Sequence, residues 1–535
     1  MAVIAPQTDI YLLKVPLEIN DINQLTFANK TAQHNYFNSL PKIPVDNYTY
    51  QRKDGTIRFG GNFDDILEYN YVMYRNDAYS NKWFYAFITD MEYLNDNVTA
   101  ITIKTDVWQT WQFDLSYKPT FIEREHVNDD TFGRHTIREG LDVGEYVAQA
   151  KPLEIDYNST FWLAFQVTEL ISNMQDVNTG GRIYNGIYNG LIVVLVDNYR
   201  TADLLVSAYD DAGKHDSIIS CFYVPKRLVV NPYINSGVTL HGEQVDIYFP
   251  RATQSYSLID RYNIDRPSTL DGYTPKNNKM FTKEFCYLYA TNNSGVDVTY
   301  SFEDWRNDGT SLTTASFDLI GSLSQGCSIK LFPTNYYLNS QSIVGVNDAG
   351  YSHGVNAGKL PLCSWNSDYY TNWVTQNSVN IGVGVASSVL NAGANLASGN
   401  VVGMASSLLS GIGGIMGEKY KASLVPNQGK GNVNTGDLNF SKAKGITLIP
   451  MGVRREYAII CDSFLSMFGY KVNAVKTPNI TGRRNWNFVK TQGCYIQADI
   501  PQSDLQEIKN MFNNGITLWH NPNTFADYSQ NNDII

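Results

Sequence analysis

Charge is scarce in this sequence: Asp, Glu, Lys and Arg make up 17% of its 535 residues, against roughly a quarter in ordinary soluble domains. What charge there is runs acidic, with 41 Lys and Arg against 52 Asp and Glu, a formal net charge of -11. Gripping nucleic acid through its phosphates needs clustered cations, so that class is excluded, although DNA sliding past without being held is not. Paired cysteines are missing too. Cys221, Cys286, Cys327, Cys363, Cys461 and Cys494 stand more than 30 residues apart, with no C-x-x-C and no His at ligand spacing. A zinc site is thereby excluded, and buried thiols in a reducing compartment are expected. Neither G-x-x-x-x-G-K-[ST], H-E-x-x-H, G-x-S-x-G nor a calcium-loop pattern occurs, and the seven His are scattered. No cofactor, no metal and no enzymatic activity are expected on these grounds. The start, M-A-V-I-A-P-Q-T-D-I, has no basic stretch ahead of an apolar run. No secretory signal is expected, and the chain is expected to be made and folded in a cytoplasm.

What is abundant points to β-structure. Tyr alone contributes 36 residues, and Asn-rich turns recur. Short runs rich in β-branched and aromatic residues are broken by Asp54-Gly55, Gly60-Gly61 and Leu94-Asn95-Asp96-Asn97. Val98 to Val107 alternates, with Ile101, Ile103 and Val107 on one side and Thr102, Lys104 and Asp106 on the other, the pattern of a half-buried strand. Longer strands are expected at Phe161 to Val167, Gly190 to Val196, Cys221 to Val230, Gln244 to Pro250 and Gly445 to Pro450, with a turn at Tyr184-Asn185-Gly186. Helical periodicity is scarce until Ser503 to Phe512, where Leu505, Ile508 and Phe512 share a face. The chain is therefore expected to be mainly β with a few short helices. Its length suits roughly two to four domains, or one body with large insertions.

Two kinds of titratable cluster stand out. Glu123-Arg124-Glu125-His126 could supply a carboxylate and a base, but without a convergent partner it reads as an exposed charged strand end. The polar stretch around it, Glu123 to Gly144, reads as a loop and a boundary. Asp64-Asp65 and Asp210-Asp211 could pair as acid and base, yet neighbours on a strand point to opposite faces, so neither doublet makes a site.

The most unusual segment is Ser378 to Gly417, forty residues without Asp, Glu, Lys, Arg, His, Pro, Phe, Tyr or Trp. Its apolar residues are Val379, Ile381, Val383, Val385, Val389 and Leu390, then Leu396 within a polar middle (Asn391 to Asn400). Val401, Val402, Met404, Leu408, Leu409, Ile412, Ile415 and Met416 follow. A helical bilayer pass takes about 20 apolar residues, so two passes joined at the polar middle would fit. Glycines at the four-residue spacings Gly399/Gly403 and Gly413/Gly417 would let helices approach closely in lipid. A buried core helix pair or a low-complexity loop is the plainer alternative. A polar strip, Asn427 to Asp437, returns the chain to strand-like sequence, so the segment is an insertion between β elements.

Two stretches carry a family resemblance. Thr105-Asp106-Val107-Trp108-Gln109-Thr110-Trp111-Gln112-Phe113-Asp114, then Phe121 to Val127, resembles the tail knob (distal tail tube) proteins of small short-tailed phages of Gram-positive bacteria. Arg484-Asn485-Trp486-Asn487-Phe488-Val489-Lys490-Thr491 and Asn514 to His520 are similar to that family's ending. The resemblance implies a virion protein of the distal tail: a ring-forming homohexamer with a tail-tube-like β-barrel body, seated on an upstream tail tube protein. It further implies apolar loops that plug the lumen and then enter host membrane lipid, opening a path for DNA during genome ejection. On that reading 1–150 is the amino-terminal part of the tube body and 151–370 a middle β-rich domain. Residues 371–437 are then the plug loop and its return strip, and 438–535 the carboxyl-terminal part of the body. A β-rich adhesin binding host cell-wall glycan through its aromatics is the second reading.

Overall fold

The computed structural model describes residues 8–19, 22–45, 48–51, 55–76, 80–155, 160–175, 182–214, 217–254, 257–307, 310–311, 313–324, 326–334, 336, 354–357, 360, 362–364 and 445–533. The protein is mainly β with a few helices, as its patterning predicts. The amino-terminal residues form a seven-stranded antiparallel sheet in the order Lys42–Pro44, Thr8–Leu13, Tyr71–Asn76, Trp83–Asn95, Val98–Thr105, Thr56–Phe59, Tyr48–Gln51. Val98–Thr105 is the strand expected from alternation, with Ile101 fully buried. The strand stops earlier than the alternation implied, because Asp106 caps a short helix, Val107–Trp111, accepting a hydrogen bond from the Gln109 N–H at 2.9 Å. Val107 is buried as the first residue of that helix.

A six-stranded sheet follows, ordered Tyr233–Leu240, Glu243–Phe249, Ile192–Val196, Phe161–Val167, Ile218–Pro225, Leu362–Ser364. Every residue of Ile192–Val196 is buried, because apolar clusters cover both faces of the sheet. Such a strand reads as an unbroken apolar run rather than an alternating one. The Asn185-Gly186 turn has φ of 53° and 81°, both left-handed, which closes the hairpin Ile183–Tyr184/Ile187–Tyr188.

The two ends of the chain share a sheet. Asn23–Leu25 pairs in parallel with Ile516–Trp519, followed by Asn487–Gln492, Thr120–Glu125 and Tyr470–Lys476. Against it lies the helix Gln502–Asn514, burying Leu505, Ile508 and Phe512 as the periodicity predicts and ending at Gly515, φ 100°. Another five-stranded sheet is centred on Ile446–Val453, which pairs with Cys286–Thr291 on one side and with Tyr146–Ala148 and Leu153–Ile155 on the other.

Two long helices escaped the periodicity argument. Arg455–Phe468 buries the polar Asp462 and Ser466 while exposing Ile459 and Ile460, so its stripe is blurred. Tyr199–Asp211 buries small residues, Thr201, Ala202 and Ala208, alongside Leu205 and Tyr209. The Asp doublets lie on helices, not strands: Asp64 and Asp65 in Phe63–Ile66, Asp210 and Asp211 at the end of Tyr199–Asp211. The thiols of Cys286, Cys461 and Cys494 are buried, and burial pushes Cys286 up to about 12 and Cys461 to about 11.

Phe512 is fully buried, with its ring centroid 6.0 Å from that of Trp108 and 5.6 Å from that of Tyr117. Phe512→Ala should lower the unfolding free energy by about 3–5 kcal/mol, read from the urea midpoint. A loss under about 1 kcal/mol would mean this seam between the termini does not carry stability.

Candidate functional site

The Glu123-Arg124-Glu125-His126 group is where the structure departs furthest from the sequence reading. It is no exposed strand end: Arg124 is 8%, Glu125 0% and His126 1% exposed. Thr120–Glu125 is an inner strand, flanked by Tyr470–Lys476 and Asn487–Gln492, and both pairings shift register between Ile122 and Arg124. A bulge of this kind re-aims side chains that alternation would send outward. Only Glu123 stays near solvent, paired with Lys490 at 3.0 Å. Of the stretch 123–144, expected to be a boundary loop, the first three residues belong to this strand, and 126–144 lacks strand or helix but turns inward and supplies a buried charge.

That charge is Glu139, whose side chain is fully buried. Its Oε2 accepts from Arg124 Nη1 at 2.6 Å, while its Oε1 pairs with Lys279 and accepts the Lys471 N–H at 2.9 Å. Lys279 is as deeply buried as its partner. Burial lowers the Lys279 ammonium below its ordinary range, and Glu139 opposes that shift by favouring the charged form. Arg124 spends another donor on the Gly469 carbonyl at 2.7 Å. Gly469 ends the helix Arg455–Phe468 at φ 65°, and a Cβ there would lie 2.3 Å from the Glu125 carbonyl. Only glycine fits both demands.

His126 continues the arrangement. Its Nδ1 accepts the Phe488 N–H at 2.7 Å, so the ring proton sits on Nε2 and is donated to the Ser466 carbonyl at 2.8 Å. Burial, aided by Arg483 and Arg124, drives its pKa down to about 3. Next to it, Asp462 accepts from Tyr273 Oη at 2.7 Å, the Lys276 N–H at 2.8 Å and Asn277 Nδ2 at 2.8 Å. Asn277 Oδ1 in turn accepts from Arg483 Nη2 at 2.7 Å. Residues 124–139, 273–284 and 462–483 are thereby joined in one buried polar clasp. Its His has both nitrogens committed and its carboxylates are met by cations or donors, so the arrangement positions chain segments rather than presenting an acid or a base. Among the described residues no three His, Cys, Asp or Glu side chains gather at metal-binding distance, and no helix is long and apolar enough to cross a membrane.

The apolar segment Ser378 to Gly417, with Val379 through Met416 and its glycines Gly399, Gly403, Gly413 and Gly417, lies outside the described residues. The structure does fix the strands that bracket it. Among the described residues Leu362–Ser364 is the edge strand beside Ile218–Pro225, and Ile446–Val453 lies between neighbours on both sides.

Residues 253–533 match the family described as Bacillus phage phi29 tail knob protein gp9, C-terminal domain. The chain belongs to the tail knob protein family. Residues 6–116 also match the caudoviral major tail protein N-terminus. The chain is 28% identical to the tail knob protein gp9 of Bacillus phage B103 and 27% identical to that of Bacillus phage phi29, with 98% of each chain covered in both cases. The solved tail knob protein gp12 of bacteriophage C1 has a similar fold, with a TM-score of 0.66 at 14% identity over 98% of this chain and 100% of that one. The polar clasp falls largely inside the region matched to the knob family, with its Arg124-to-Glu139 arm contributed from outside it.

Two outcomes test the clasp. Glu139→Ala leaves Arg124 and Lys279 buried without their shared carboxylate and should cost about 3–5 kcal/mol, measured by denaturant unfolding; a loss under about 1 kcal/mol would sink the assignment. The second concerns acid. His126 is protonated near 6.5 when unfolded but only near 3 when folded, so the unfolded chain binds the extra proton in between. Stability is therefore lost as pH falls from 6.5, by roughly 1.4 kcal/mol per pH unit at most. Buried Asp106 and Glu303, both raised to about 6, act in the opposite sense, their stabilisation being fuller below that pH. The His126 effect is thus the difference between the wild type and His126→Gln between pH 6.5 and 4. Parallel pH profiles for the two would exclude it.

Proposed function

We propose that the chain is a structural virion protein forming the distal tail tube, or knob, of a short-tailed phage. Its apolar segment Ser378 to Gly417 plugs the lumen of a homohexameric ring and later enters the host membrane so that DNA can pass. The likeness to tail knob proteins along 98% of both chains carries this reading. The insertion's position supports it: the strands on either side of residues 365–444 are paired into body sheets, so the segment can change surroundings without unravelling the body.

Six copies of an uncharged segment gathered on one axis would shield one another from water, at roughly 25 cal/mol per Å² of apolar surface. Release into lipid replaces that shielding with acyl chains, so the exchange needs only a trigger. The net charge of -11 suits a tube that repels phosphate and holds no DNA. An upstream tail tube protein would close the other end of the ring.

A peptide of residues 378–417 should release dye from liposomes, and a chain lacking those residues should still assemble into six-fold rings under negative stain, now with an open centre. Intact liposomes, or rings that need the segment in order to form, would overturn the plug.

A further inference from the structure

A cavity of about 360 Å³ opens between the seven-stranded sheet and the start of the helix Gln502–Asn514, near the lower end of the roughly 300–1,000 Å³ usual for ligand pockets. Its lining includes the buried Ile10 and Ile57 and the rings of Tyr74, Phe84 and Trp111. Tyr74 stacks on Phe84 with centroids 5.4 Å apart, and Phe84 meets Trp111 at 87° and 5.9 Å. Lys82, ion-paired with Asp114, covers one face of Trp111 with its Nζ 3.5 Å from the ring centroid. Lys82 itself does not line the cavity.

The charged group of the lining is Asp504. Its Oδ2 accepts the indole N–H of Trp111 at 2.9 Å and its Oδ1 accepts from Ser503 Oγ at 3.1 Å. A carboxylate can accept about four hydrogen bonds, so both oxygens keep capacity toward the cavity. No Lys, Arg or His lines the cavity among the described residues, which disfavours phosphate or carboxylate ligands. An organic cation is disfavoured as well, since Lys82 already draws on the indole face and repels a second positive charge. A wholly apolar guest would strip water from Asp504 without replacing its hydrogen bonds. What remains is a neutral ring with an apolar C–H face and several hydroxyl donors. We propose that this cavity is a carbohydrate subsite taking one pyranose ring, its C–H groups packed into the corner that the Trp111 and Phe84 rings form and its hydroxyls donating to Asp504. The proposal does not depend on the plug segment.

Saturation-transfer NMR on the full chain tests it with four probes: glucose, N-acetylglucosamine, benzyl alcohol and tetramethylammonium. Transfer to the ring C–H protons of at least one sugar is expected at about 10 mM. It should be lost in Trp111→Ala and weakened about tenfold in Asp504→Asn. A second readout avoids substitution in the pocket: in 5-fluorotryptophan-labelled wild type, one of the nine Trp resonances should shift with sugar. No transfer from either sugar, transfer unchanged in both variants, no shifted resonance, or binding of only benzyl alcohol or tetramethylammonium each overturns the proposal.

Discussion

One carboxylate organises the middle of this molecule. Glu139 sits between Arg124 and Lys279, all three almost wholly out of water, and also accepts a backbone N–H from Lys471. An uncompensated charge at that depth would cost several kcal/mol, so the fold closes only when segments separated by more than three hundred residues arrive together. Around it, the left-handed Gly469 leaves room for the Glu125 carbonyl, while the neutral His126 and the donor-filled Asp462 have their buried polar atoms met by neighbours.

This dependence explains what was legible in the sequence. Elements whose partners are local could be read directly: the Asn185-Gly186 hairpin, the alternating strand through Ile101, and the helix carrying Leu505, Ile508 and Phe512. The family, too, was readable from the stretches around Trp108 and Trp486, two aromatics that the structure buries. The clasp was not legible, because polarity in a window says exposure unless the compensating charges are known. Here Lys279 lies 140 residues from Glu139. The same blindness hid the helix Arg455–Phe468, whose inward face carries an Asp met by Tyr273, Lys276 and Asn277 and a Ser whose hydroxyl is met by Asn277, all distant in sequence.

The fold also separates two kinds of chemistry. Polar groups concentrate where sequence-distant strands cross, while the carbohydrate-sized cavity lies where the amino-terminal sheet meets the carboxyl-terminal helix, lined by rings and a single carboxylate. Both are built from residues outside 365–444.

The two stems of that insertion are mechanically unequal. Leu362–Ser364 holds by three residue pairs at a sheet edge, whereas Ile446–Val453 is laddered on both sides to three other strands. A pull transmitted along the insertion from outside would peel the first like a zipper and leave the second anchored. The tether would lengthen on its amino-terminal side alone, reaching further from the body without letting go of it.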